Sequence, residues 1–85
     1  MTTPDAPFIL YGRAWCHLCE DMRAALEPIA ERFGVAVRWI DIDEDLALEA
    51  HYKELVPILT LDGAELCRYR LDADTVLAAL RARRP

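Results

Sequence analysis

The spacing of apolar positions changes along the chain, and each change predicts an element. Phe8-Ile9-Leu10-Tyr11 is a short apolar run that reads as a buried strand over residues 8–11. Leu18, Met22, Leu26, Ile29 and Phe33 then recur every three or four residues, which marks one face of a helix over residues 16–33. Gly34 ends it, since glycine accepts the left-handed backbone of a helix C-terminus. Pro28 lies inside this helix and predicts a bend near Ala24 that wraps the helix around a sheet. Residues 35–42 predict a second strand, with Val35, Val37 and Trp39 on one side and Ala36, Ile40 and Ile42 on the other. Two mostly apolar sides imply cover on both faces. Asp43 or Asp45 can cap a second helix over residues 46–53. Residues 57–61 give a third strand, and Asp62-Gly63 is a two-residue hairpin turn. Residues 64–69 return antiparallel, which sets Cys67 opposite Ile58 and on its face. Asp72 or Asp74 caps a last helix with Val76, Leu77 and Leu80 inward, and Arg81, Arg83 and Arg84 complement the dipole at its end.

The order is β-α-β-α-β-β-α. The first two strands are expected to be parallel through a right-handed helical crossover, and the hairpin adds an antiparallel pair. The result is an α/β fold: one four-stranded mixed sheet with helices on both faces, a single domain over residues 1–85 with a polar tail at residues 1–6. With 85 residues and 54% hydrophobic content the chain can fill a thin core. A net charge of −5 argues against a nucleic-acid partner, which needs a basic surface. No apolar run approaches a membrane span, so no membrane partner is expected. The first residues lack the basic start and apolar stretch of an export signal, and three cysteines do not suggest a stapled secreted scaffold. Together these point to a reducing, cytoplasmic setting.

The chemistry-bearing stretch is Trp15-Cys16-His17-Leu18-Cys19, at the junction of the first strand and first helix. A C-x-x-C beside a strand–helix–strand pattern is a thiol redox motif. Cys16 at the mouth of the helix meets its positive end and unpaired N–H groups, so its thiol is expected to be more acidic than a free one. Arg13 can add positive potential, whereas Glu20 and Asp21 oppose a thiolate. Cys19, one turn further in, is expected to be more covered. Cys16 is therefore the expected nucleophile and Cys19 the resolving thiol. His17 either tunes Cys16 or is an exposed spacer. Trp15 is a contact surface for partners, Cys67 a small buried hydrophobe, and Trp39 and Tyr52 are packing residues. The acidic run Asp41 to Asp45 reads as a cap and solvated loop, without the glycine or distal glutamate of a calcium loop.

At this point the chain resembles the glutaredoxin-like group of the thioredoxin-fold superfamily, through Trp15-Cys16-His17-Leu18-Cys19, Val56-Pro57 and Asp62-Gly63. The resemblance runs from Phe8 to about Arg83 and implies a thioredoxin-like fold and a thiol–disulfide oxidoreductase. It implies a cis Val56-Pro57 bond packed against the cysteines, with the Val56 backbone open to an extended substrate. Arg13 fills the position of a lysine that would meet a glutathione carboxylate. The family also carries two glycines and a following Asp before the last helix, where glutathione's other carboxylate binds; here that stretch reads Tyr69-Arg70-Leu71-Asp72, without the glycines and with Asp72 as the match. The implied partners are disulfide-containing proteins, with glutathione or a thioredoxin reductase as reductant and no bound cofactor or metal. Two other readings use the same residues: a metal or iron–sulfur module, for which one cysteine pair is half a site, and a redox-inactive interaction module.

Overall fold

A computed structural model describes residues 6–83. The expected polar tail, apart from Ala6, and Arg84 lie outside the described residues. Four strands, β1 (Phe8–Gly12), β2 (Val37–Asp41), β3 (Ile58–Leu61) and β4 (Ala64–Arg68), form one sheet in the order β2-β1-β3-β4. The helices are α1 (His17–Phe33), α2 (Leu46–Tyr52) and α3 (Ala73–Ala82). β1 and β2 are parallel; β1–β3 and β3–β4 are antiparallel. This is the expected thioredoxin-like α/β fold with a mixed sheet.

Alternation along the central strands decides what lies on each side. Phe8 and Leu10 of β1 pair with Leu61 and Leu59 of β3. They join Met22, Leu26 and Ala30 of α1 and Val76 and Leu80 of α3 in the larger core cluster. Tyr11, one residue on, points the other way and packs with Leu48 and Tyr52 around the short α2. The helices thus divide between the two faces, and the second face is the thinner.

The caps follow the chemistry of the sequence. Asp45 starts α2 by accepting the N–H groups of Ala47 and Leu48 through Oδ1, and Asp72 starts α3 by accepting that of Thr75 at 3.1 Å. Gly34 closes α1 in the left-handed region at φ 64°, its N–H reaching back to Ala30 and Glu31. Pro28 is carried inside α1 on its exposed side. Asp62 and Gly63 both take positive φ, as the hairpin turn requires. Arg83 reaches back from the end of α3 to bond Asp62 at 2.7 Å, which ties the helix to that turn.

Two expectations fail for physical reasons. β2 is an edge strand, shorter than expected, with Val37 and Arg38 exposed rather than covered. Ile42 leaves the strand for a 3₁₀ turn (Ile42–Glu44), where it is fully buried. Cys67 faces Leu59, not Ile58, because a bulge leaves Leu66 without a partner between the Thr60–Glu65 and Leu59–Cys67 pairs. A one-residue slip turns a side chain to the other face. Cys67 therefore packs against the larger core beneath α1 and α3.

Candidate active site

β1 delivers the chain to the site and α1 carries it away. Cys16 is the N-cap of α1: its backbone is extended (φ −110°, ψ 111°), and its Sγ accepts the N–H of Cys19 at 3.1 Å. Its carbonyl accepts the N–H of Glu20, the first turn of the helix proper. The Cα atoms of Cys16 and Cys19 are 5.2 Å apart, and the two form a disulfide. Cys16 is half-buried, whereas Cys19 has no exposed surface. The expected asymmetry between an accessible sulfur and a covered one is present.

Cys19 shares a small core cluster with Ile42 and Val56. Tyr11, Cys16, Trp39, Leu48 and Tyr52 pack around it. The peptide Val56–Pro57 is cis and both residues are buried. The sequence-predicted pair, Val56 and the prolyl loop are therefore brought together. The Pro57 carbonyl accepts the N–H of Tyr69 at 2.8 Å, which joins the end of β4 to this loop.

The remaining expected residues lie outside this cluster. Trp15 stands 97% exposed at positive φ on the lip of the turn, and His17 is the exposed first residue of α1. Arg13 turns toward α2, bonding Asp43 at 3.0 Å with Glu49 at 3.8 Å. Part of the acidic run is thus a partner for Arg13, a role the sequence did not disclose. Asp72 uses its carboxylate as the α3 cap, and its hydrogen bonds to the Thr75 backbone and side chain hold it below the usual carboxylate range. A groove of about 320 Å³ opens beside the turn, between Leu18 and Met22 of α1 and Tyr69 and Arg70. Among the described residues no group of three or more His, Cys, Asp or Glu is placed to hold a metal ion.

Gly12 and Tyr11 were not singled out by the sequence, and Trp39 and Tyr52, expected as packing residues, pack here around the site. Gly12 allows a close approach: a Cβ built there would lie 2.5 Å from Cη2 of Trp39 and 3.1 Å from Sγ of Cys19. A glycine at the end of a strand was the available signal. Trp39 comes from the edge strand to pack against the cluster that holds the buried sulfur. Tyr11 and Tyr52 stack with centroids 4.7 Å apart, and the Tyr52 hydroxyl is pushed up, first by burial and then by Tyr11.

A four-stranded mixed sheet with a C-x-x-C pair at the first strand-to-helix turn and a cis-prolyl loop beside it defines a protein of the thioredoxin-like class. The model of the Glutaredoxin-like domain (DUF836) matches residues 8–81, and the chain belongs to that family. Protein Ne2328 from Nitrosomonas europaea is 33% identical, with 93% of this chain and 95% of that one covered and a TM-score of 0.75. Protein XcR50 from X. campestris is 36% identical over 91% and 99% of the two chains, with a TM-score of 0.66. A mutant thioredoxin from Halobacterium salinarum is 28% identical over 92% and 74%, also with a TM-score of 0.66. No curated protein matches the chain.

Proposed function

We propose that the protein is a thiol–disulfide oxidoreductase that reduces disulfides of proteins or small molecules by cycling Cys16 and Cys19 between dithiol and disulfide. The observation that carries this reading is the position of Cys16 as the cap of α1, with its bonded partner buried one turn behind. A sulfur held there meets an N–H donor and the positive end of the helix, the surroundings a thiolate needs. The Cys16 thiolate attacks one sulfur of the substrate disulfide and displaces the other as a thiolate. Cys19 then attacks Cys16 Sγ. The bond from Cys16 to the substrate breaks, its electron pair leaves with the second substrate sulfur, and the Cys19 proton passes to solvent. The substrate has gained two electrons, and the Cys16–Cys19 bond has closed.

Val56 has a place on the substrate side of this reading. It lies beside Cys19 in the sulfur cluster, and there its backbone would pair with an extended substrate segment through strand-like hydrogen bonds. The exposed Trp15 gives a partner apolar contact beside Cys16. A cytosolic thiol pool, through glutathione or a thioredoxin reductase, returns the pair to the dithiol. In that setting the protein serves electron transport and cell redox homeostasis. The test is reduction of insulin disulfides with either donor: the parent turns over and Cys16→Ser does not. Equal rates for the two proteins would refute the assignment.

A further inference from the structure

We propose that Trp39 is a positioning residue for the second half of this exchange, the wall that holds Cys19 toward Cys16. The inference rests on the dithiol reading above and adds to it a residue outside the motif. Trp39 lies on the edge strand, where its neighbours Val37 and Arg38 are exposed. Its ring nevertheless turns inward and packs against both core clusters. The clearest sign is Gly12: a point at its absent Cβ is 2.5 and 2.9 Å from two ring carbons and 3.1 Å from Cys19 Sγ. Backbone, indole and sulfur converge there, with no room for a methyl group. The Arg23 guanidinium also sits over the Trp39 ring, 5.5 Å from its centre. Arg23 is one turn beyond Cys19 on α1, so the helix that carries the sulfur also braces the ring.

The resolving step needs this restraint. Once Cys16 is bonded to the substrate, the Cys16–Cys19 bond no longer fixes the second sulfur. Cys19 must still approach Cys16 Sγ in line with the leaving sulfur, at roughly 3–3.5 Å. Ile42 and Val56 share the cluster with Cys19, and Tyr11 and the Trp39 indole pack against it. Without the ring, Cys19 can rotate into the space left and point away from Cys16. The first step, attack by Cys16 at the helix mouth, does not depend on that wall.

The two steps can be read separately with dithiobis-nitrobenzoate and reduced protein in a Cys67→Ser background. Attack by Cys16 on the reagent releases one coloured thiolate and leaves the other half on Cys16. Attack by Cys19 on that adduct releases the second as the protein disulfide closes. For Trp39→Ala we expect the first release within about twofold of the parent and the second slowed about tenfold or more, the scale set by misplacing a reacting atom. Trp39→Phe, which keeps a flat ring, should restore most of the second rate. Gly12→Ala, whose methyl group would press on both the ring and Cys19 Sγ, should slow it again. Equal slowing of both releases, or no slowing of the second, overturns the proposal. If Trp39→Ala does not fold by circular dichroism, Trp39→Leu, which also removes the flat ring, decides the same question. Failure of the parent to release even the first thiolate faster than Cys16→Ser would instead overturn the dithiol reading itself.

Discussion

The two core clusters differ in composition and in purpose. The larger, between the sheet and α1 and α3, is filled mainly by Phe8, Leu10, Met22, Leu26, Leu59, Leu61, Val76 and Leu80. These side chains have nothing to do but exclude water. The smaller is built on Cys19, Ile42 and Val56, with two tyrosines and a tryptophan around it and Leu48 and Tyr52 supplied by the seven-residue α2. One region supplies free energy by burying area. The other gives its buried volume to a sulfur, a prolyl loop and aromatic walls. Substitutions in the first should therefore act on stability and leave the chemistry of the surviving fold intact, while substitutions in the second should do the reverse.

The largest expected effect in the second region is Cys16→Ser: turnover on a protein disulfide is lost while thermal unfolding of the reduced protein shifts little, measured by the insulin assay beside calorimetry. A large fall in stability would erase the contrast between the regions. In the first region, Leu59→Ala should cost about 2–5 kcal/mol, as truncations of fully buried leucine do. Urea unfolding measures it, and the folded fraction should still turn over at the parent rate.

Asp72→Ala tests whether that carboxylate is structural. Removing the α3 cap should lower the unfolding temperature, and Asp72→Asn, which keeps an acceptor oxygen, should recover most of it. The sign with pH follows from the depressed folded-state value. The contribution of Asp72 is present above the unfolded carboxylate value of about 3.9 and is lost as pH falls through the lower folded value. Acid unfolding curves of parent and Asp72→Ala should therefore converge at low pH.

The smallest effect belongs to Arg13→Gln. Its pairs with Asp43 and Glu49 are solvent-facing, so their loss should cost under about 1 kcal/mol. The informative reading is the glutathione concentration for half-maximal turnover. A rise of several-fold would mean that Arg13 also meets the donor's carboxylate. No change would mean that its guanidinium serves only to fasten the active-site turn to α2.

What the sequence disclosed was whatever depends on neighbours in the chain. The strand before the motif, the helix after it, the Asp62-Gly63 turn and the caps at Asp45 and Asp72 are local chemistry, and each stands where expected. The cis state of Val56–Pro57 was implied by family resemblance, not by local pattern. What stayed hidden depends on residues far apart in sequence. Arg13 finds Asp43 thirty positions on, and Gly12 meets Trp39 across the sheet. The bulge at Leu66, which moved Cys67 to the other face, comes from how β3 and β4 pair, and no apolar alternation announces it. The exposure of β2 likewise reflects its place at the sheet edge, which the apolar character of Val35, Val37 and Ile40 concealed.

The two sulfurs are held to be unequal, Cys16 attacking and Cys19 resolving, and every assigned step depends on that. Trapping tests it most directly: reduced Cys16→Ser and Cys19→Ser variants are mixed with a disulfide protein, and the covalent adducts are weighed by mass spectrometry. A stable mixed disulfide is expected through Cys16 in Cys19→Ser, and little or none through Cys19 in Cys16→Ser. Adducts forming equally fast on both variants would contradict it.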